Sequence, residues 1–244
     1  MVAKKSAART STLMASVASN GNGIEIYLKR IFTLMFGAVG LTAISTFIML
    51  ATDGFSVLIG PNGFSGLYYI LLFGGLGLAI WAHARVFSLK PSTAALFLAL
   101  YSVIIGMVLT PLVAGALYVN PASILQAFII AALMFGCMAI FGYKTIKDLS
   151  FLGTFLFIGM IGLILVGIIS MIWPLGSTLA TIICLIGVLI FALFTAYDMQ
   201  NLKKAYASLG DDTRKNQLAV LGALHLYISF IAMFQYTLSL LNNR

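Results

Sequence analysis

The feature that most constrains this chain is a series of long apolar runs that charged residues hardly interrupt. Between Asp148 and Asp198, for example, no acidic or basic side chain occurs. A helix needs roughly 20 apolar residues to cross the hydrocarbon layer of a bilayer, whereas the strands of a membrane barrel are short and alternate in polarity. Only 8% of the 244 residues are charged, while soluble domains carry about a quarter. The sequence therefore predicts an all-α integral membrane protein whose partner is the lipid bilayer.

The apolar runs predict seven transmembrane helices, separated by breaks rich in glycine, proline and asparagine. The predicted spans cover residues 31–52, 67–88, 94–117, 122–141, 152–172, 177–199 and 217–241. We expect a basic, Ser/Ala-rich tail over residues 1–30, flexible and cytoplasmic, and a transmembrane domain over residues 31–244. The tail lacks the apolar segment of a secretory signal. Its composition has a weak likeness to a mitochondrial transit peptide, which leaves an organelle membrane as an alternative location.

The distribution of basic residues predicts the orientation in the membrane. Thirteen of the 14 Lys and Arg residues lie in the tail or in alternate loops, and Arg244 is the exception. By the positive-inside rule, this pattern places the N-terminus in the cytoplasm and the C-terminus outside. The formal net charge of +8 is interpreted as a topology signal rather than as a nucleic-acid surface, because the charges are spread over four segments.

Asp198 is the one acidic residue that falls inside a predicted span. An ionised group at membrane depth costs several kcal/mol unless it is paired or wetted, so it suggests a functional site. An equally good interpretation is that Asp198 caps the cytoplasmic end of the sixth span and extends toward Lys203. Asp198 precedes Lys203 by five residues, as Arg85 precedes Lys90. A rise of about 1.5 Å per residue places both about 7–8 Å above their lysines, so Arg85 is a plausible partner.

The last predicted span carries a stripe of small and polar residues at helical spacing. The stripe consists of Gly222, His225, Ser229, Ala232, Tyr236 and Ser239. His225 lies ten residues beyond Lys215, which places it roughly 15 Å deep by the same rise per residue. Such a stripe belongs in the interior of a bundle. It is consistent with a wetted path, although ordinary small-residue packing is the more common explanation.

No Ser/His/Asp or metal-ligand spacing is evident, so we expect no enzymatic activity and no cofactor. Intramembrane aspartyl chemistry needs two carboxylates within reach, and the predicted spans contain one. His225 and Ser229 are one helical turn apart, but no oxyanion-hole motif accompanies them. Cys137 and Cys184 both fall within spans and are interpreted as core residues.

Several sequence blocks together resemble the Bax inhibitor-1 family, including its bacterial members. The C-terminal blocks are FTAYDMQNLKKAY and, after a charged loop, LGALHLYISFIAMF; the upstream block is VNPASILQAFIIAALMFGCMAIFGYKTIKDLSFLG. The resemblance covers nearly everything from about residue 30 onward. It implies seven helices with six arranged around a central seventh, an N-terminus inside the cell, and a place in the bacterial inner membrane.

The resemblance also implies a function. Structurally studied bacterial members look like pH-sensitive calcium leak channels, whose gate contains two buried aspartates that share a proton and a latch to an arginine of the second helix. Asp198 matches the first aspartate, in the TAYD segment. Ser229 stands where the second would lie, in LYISFIAMF, and Arg85 is the candidate for the latch.

The serine changes the expected chemistry. Two close carboxylates cannot both ionise and therefore titrate as a pair, but Ser229 offers Asp198 no such neighbour. His225, one turn before Ser229, is the hypothetical replacement: a His–Asp couple that closes the path when charged and loosens it on deprotonation. Calcium prefers several oxygen ligands, so we expect Asp198 to hold Ca²⁺ only transiently.

Two functions remain open from the sequence. The first is a passive calcium or cation leak, modulated by pH, with Asp198, Arg85, His225 and Ser229 around its cytoplasmic mouth. The second is a regulator without transport. Some bacterial relatives bind an FtsH-type ATP-dependent membrane protease through a cytoplasmic tail, and eukaryotic relatives modulate cell death. The basic tail of this chain suits such binding, while the conducted ion and the oligomeric state do not follow from the sequence.

Overall fold

The computed structural model describes residues 2–60, 63–85, 88–173, 175–208 and 212–243, with side chains from residue 23 except at positions 83, 171, 172 and 212. Within these ranges the chain forms seven α-helices. They are α1 (Val2–Ala51), α2 (Gly66–Arg85), α3 (Pro91–Val119), α4 (Ala122–Lys144), α5 (Ser150–Ile172), α6 (Ser177–Ser208) and α7 (Asp212–Asn242). The predicted all-α membrane architecture is confirmed.

Six of these helices, counted over the described residues, are long and apolar enough to cross a membrane. The exception is α2, whose apolar part, Gly66–Ala82, is shorter. Every helix overlaps its predicted span, but several continue further: α6 ends at Ser208 rather than at 199, and α7 begins at Asp212 rather than at 217. The predicted flexible tail falls largely on residues 1–22, whose side chains lie outside the described part of the chain.

The seventh helix is the centre of the bundle, as the family resemblance implies. In its apolar section 89% of the residues are buried, against 6% in α5. Helices α1, α3, α4 and α6 pack directly on α7, whereas α2 packs mainly on α3 and α5 packs on α6. The six surrounding helices therefore form an inner group of four and an outer pair.

Small and hydroxyl-bearing residues bring neighbouring helices close together. Three hydroxyl groups of α1 donate hydrogen bonds to backbone carbonyls of α3: Thr42 to Ser102, Ser45 to Val103 and Thr46 to Gly106. Gly106 permits this approach, because a side-chain carbon there would lie 2.6 Å from the Thr42 carbonyl oxygen. In the same way, Gly142 of α4 lies against the backbone of Ala196 in α6. Close backbone approach of this kind is typical of membrane helices.

The basic loops gather at one end of the bundle, which we call the basic end. There Arg30 donates a hydrogen bond to Asn216 Oδ1 at 2.6 Å, and Gln217 donates to the Leu89 carbonyl at 2.8 Å. At the opposite hairpin end, a 3₁₀ turn (Gly54–Leu58) and the strands β1 (Ile59–Gly60) and β2 (Gly63–Phe64) connect α1 to α2. Which end faces the cytoplasm stays a prediction from the positive-inside rule.

Candidate functional site

Asp198 of α6 and His225 of α7 lie side by side in the bundle. The Asp198 Oδ1 and His225 Nδ1 atoms are 3.9 Å apart, and the side chains are 13% and 32% exposed, respectively. This separation is that of an ion pair when the imidazole is protonated. Two of the predicted site residues, from different helices, therefore form one pair that keeps some accessible surface.

The antiparallel packing of α6 on α7 brings this pair together. Toward the basic end, a side-chain carbon at Gly222 of α7 would lie 2.5 Å from Leu202 of α6. Toward the hairpin end, a side-chain carbon at Gly187 of α6 would lie 2.7 Å from the ring of Tyr236. The two glycines allow close contact between the helices on both sides of the pair. Because the helices are antiparallel, each turn forward along α6 lies opposite one turn backward along α7. We call this row of contacts the α6–α7 seam.

The seam is polar next to the pair. Thr195, on the same face of α6 as Asp198, is fully buried and donates its hydroxyl to the Phe191 carbonyl at 3.0 Å. Ser229, one turn beyond His225, is 3% exposed, and the register of the seam places it at the level of Thr195. The structure thus adds Thr195 to the predicted residues. Its spacing of three residues from Asp198 is the sequence signal that could have found it.

Asp198 lies further from the end of its helix than predicted. Helix α6 continues for ten residues beyond it, to Ser208, which is about 15 Å of helix. These extra turns are polar in sequence but packed in the structure, since Leu202 is buried and the buried Gln200 accepts a hydrogen bond from the Leu149 N–H at 2.9 Å. Asp198 therefore belongs to the packed seam and does not cap the helix.

The structure brings the expected His225 to Asp198, but neither Arg85 nor Lys203. Arg85 is exposed at the end of α2, and among the described residues no ion pair within 4.0 Å joins it to Asp198. The expected pairing was based on equal depth in the membrane, and depth does not determine which helices are neighbours. In the structure α2 packs mainly on α3. Lys203 instead donates to the Tyr143 carbonyl at 3.0 Å and lies over the Tyr143 ring. Whether Arg85 has a role in gating stays a prediction.

A second acidic residue, Asp148, lies outside the seam in the loop between α4 and α5. It accepts a hydrogen bond from Lys204 at 2.6 Å and two more from the hydroxyl and backbone N–H of Ser150. The hydrogen bond from Lys204, followed by those from Ser150, lowers the pKa of Asp148 to about 2. This carboxylate therefore stays charged at physiological pH.

The donor set of the seam suits a weak, reversible cation contact. Within the described residues, no group of three or more His, Cys, Asp and Glu side chains could hold a metal ion. The seam offers one carboxylate, from Asp198, and the hydroxyls of Thr195 and Ser229 at the next level. The side chain of His83, the second histidine, lies outside the described residues.

Known proteins match almost the whole chain. The family model described as "Inhibitor of apoptosis-promoting Bax1" matches residues 25–244. An uncharacterized protein of Caulobacter vibrioides is 39% identical over 72% of this chain and 70% of its own length. An uncharacterized protein of Borreliella burgdorferi is 34% identical over 89% and 92%. The inner membrane protein YbhL of Escherichia coli K12 is 29% identical over 94% and 96%. The family match includes both helices of the seam.

Proposed function

The chain belongs to the Bax inhibitor-1 family, and from this premise we propose that it is a multi-pass protein of the bacterial inner membrane that acts as a passive leak for calcium or a similar cation. The observation that carries the proposal is the Asp198–His225 pair, a carboxylate and an imidazole 3.9 Å apart on the central helix and its neighbour. Ionisable groups inside a membrane bundle are typical of ion and proton pathways.

The chemistry of the seam favours transient contact with a passing cation over tight cation binding. Calcium bound tightly in proteins takes six to eight oxygen ligands, several of them carboxylates. Asp198 alone supplies a charged oxygen, with the Thr195 and Ser229 hydroxyls as neutral ones. A conducting site must attract an ion and also release it. A single carboxylate flanked by hydroxyls meets this requirement better than it meets that of a high-affinity site.

The imidazole makes the carboxylate sensitive to pH. When His225 is protonated, the imidazolium forms an ion pair with the Asp198 carboxylate, and an arriving cation must compete with the imidazolium for that carboxylate. When His225 is neutral, the carboxylate can attract the cation instead. Deprotonation of the imidazole frees the carboxylate, so the flux rises with increasing pH. The adjacent lysines of α6 are engaged elsewhere, Lys203 with the Tyr143 carbonyl and Lys204 with Asp148.

Calcium flux into vesicles that contain the purified protein tests the proposal. We expect Asp198→Asn, which keeps the shape but removes the charge, to lower the flux by about tenfold, equivalent to about 1.4 kcal/mol in the barrier. Asp53→Asn is the matched control, because Asp53 is an exposed residue at the hairpin end. A variant Asp198→Asn that conducts like the wild type would contradict the proposal.

A regulator without transport is the alternative that the same measurement addresses. If the wild-type protein conducts no cation at any pH, the family membership still allows a role in binding a partner. In that case an FtsH-type membrane protease should co-purify with the full chain and be lost on deletion of residues 1–24. Protease binding that is independent of the tail would count against this alternative.

A further inference from the structure

The α6–α7 seam ends in an aromatic contact on the hairpin side of the Asp198–His225 pair. The Phe191 and Tyr236 rings stack with centroids 6.1 Å apart and an interplanar angle of 27°. Phe191 lies seven residues before Asp198, which is two turns or about 10 Å along α6. Ser229 lies between His225 and Tyr236 on α7. An ion that follows the seam from the pair toward the hairpin end therefore meets the hydroxyls first and the aromatic stack next.

The stack forms an apolar constriction, in which the Tyr236 side chain is half-buried. Phe191 is buried, and Phe194 lies beside it with a centroid distance of 6.0 Å. On the other side, Gly187 leaves room for the Tyr236 ring directly against the α6 backbone. Constrictions lined by apolar groups close ion paths because water, and with it a hydrated ion, leaves them. Two rings in contact at this level have that property.

We propose that the stack of Phe191 and Tyr236 is the closed gate of the seam, and that it separates the polar section around Asp198, His225 and Ser229 from the hairpin side of the membrane. This inference rests on the proposed leak function. It assigns the two tasks to different residues: the pair attracts the ion and responds to pH, and the rings block its passage. Movement of either ring away from the other removes this constriction.

Thiol accessibility tests the gate independently of ion flux. The native cysteines of the full-length chain are first removed by Cys137→Ser and Cys184→Ala, and Ser229→Cys then provides the single thiol. A membrane-impermeant cationic thiol reagent is added on the hairpin side. With the stack intact, we expect slow labelling. With Phe191→Ala added, the constriction is removed and labelling accelerates by about tenfold or more. Phe191→Leu, which keeps most of the bulk, is used if the alanine variant does not fold, and should give a smaller acceleration.

The matched control removes an equal ring from another face of the central helix. Phe135 of α4 packs on Phe230 of α7 edge to face, with centroids 5.7 Å apart, outside the seam. We expect Phe135→Ala to leave the labelling of Ser229→Cys slow. If Phe135→Ala accelerates labelling as much as Phe191→Ala, the acceleration comes from a general loosening of the helix bundle, and the proposed gate is wrong. Labelling that stays slow in both Phe191 variants overturns it as well.

Calcium flux of the Phe191 variants, measured with Ser229 retained, separates this inference from the proposed function. We expect Phe191→Ala to raise the flux several-fold and the added Asp198→Asn to abolish the gain. Accelerated labelling without any calcium flux supports the gate and contradicts the leak. An Asp198-dependent flux in the wild type, with labelling unchanged by Phe191→Ala, supports the leak and contradicts the gate.

Discussion

At the scale of single residues, Asp198 and His225 reduce each other's cost of burial. An aspartate at the centre of a membrane helix costs about 3 kcal/mol on insertion scales, and such residues usually pair or face a wetted cavity. The neighbouring imidazole offers a pairing partner at 3.9 Å, and its side chain is 32% exposed. Because two interacting groups titrate together, the functional unit is the pair and not either residue alone.

Asp148 offers a control for the titration of the pair. Its pKa is lowered to about 2, so its charge stabilises the folded protein above the ordinary pKa of 3.8, and this contribution is lost as the pH falls through about 2. Between about pH 5 and pH 8 the charge of Asp148 does not change. We therefore expect Asp148→Asn to leave the shape of the flux–pH curve unchanged. A displaced curve would locate the pH response in the α4–α5 loop.

Arg85 distinguishes the observed seam from the expected arginine latch. Because its guanidinium forms no ion pair with Asp198 in the described structure, we expect Arg85→Gln to alter the calcium flux by less than about twofold, within the range of an exposed charge. The flux of reconstituted protein at one fixed pH measures this. A loss as large as that of Asp198→Asn would mean that α2 reaches the seam in another conformation.

Sequence reasoning identified the residues of the site better than their partners. Asp198, His225 and Ser229 stand out because ionisable and hydroxyl groups are rare in apolar helices. Helical spacing gives the face and the approximate depth of each residue, but not which neighbouring helix lies opposite that face. The sequence therefore offered both Arg85 and His225 as partners of Asp198, and the three-dimensional packing of α6 on α7 selects His225.

At the scale of helices, the close contact between α1 and α3 depends on a glycine, Gly106, which has no side chain. A side-chain carbon at Gly106 would lie 2.6 Å from the Thr42 carbonyl oxygen and 2.7 Å from Ser45 Cβ, whereas Gly115 on the same helix has no atom within 4 Å. We expect Gly106→Leu to separate α1 from α3 and to destabilise the protein by about 1–3 kcal/mol, as overpacking does. Thermal unfolding in detergent measures the change.

The matched variant at Gly115 defines the comparison. Gly115→Leu adds the same side chain to the same helix at an open position, so we expect a melting temperature close to that of the wild type. If both variants melted alike, the close approach of α1 to α3 at Gly106 would not limit stability.

The ends of the helices show where sequence patterns lose information. The segment after Asp198 reads as a polar exit from the membrane, yet α6 stays helical to Ser208. The reason is tertiary: Gln200 donates to the Lys147 carbonyl at 2.8 Å, and Leu202 packs against Gly222. Hydropathy describes the polarity of each residue separately. It therefore cannot predict that a polar helical turn is stabilised by contacts with a loop and a neighbouring helix.

At the scale of the whole molecule, the orientation in the membrane follows from charge. In the sequence, 13 of the 14 Lys and Arg residues belong to the tail or to the segments of the basic end, and α7 runs from that end to Asn242 at the other. The positive-inside rule places the basic end in the cytoplasm. We expect alkaline phosphatase fused to the C-terminus to be active and green fluorescent protein fused there to be dark. The opposite pair of signals would invert the topology.

Composition and hydropathy were sufficient for the membrane class, the number of helices and most of their spans, because a bilayer admits few solutions for a chain this apolar. The central place of α7 was implied by the family resemblance and is confirmed by its burial. The division of the other helices into inner and outer ones was not predictable. Helix α5 is as apolar as the inner helices and only its contacts set it apart, while α2 also has a shorter apolar part, Gly66–Ala82.

The most direct test of the central claim is the calcium flux of reconstituted protein at about pH 6 and about pH 8, on either side of the titration of imidazole. The wild type should conduct several-fold more at the higher pH. His225→Gln, which cannot titrate, should give equal flux at both, and Asp198→Asn should give little at either. A wild-type pH response that persists unchanged in His225→Gln and Asp198→Asn would contradict the assignment of cation passage to this pair.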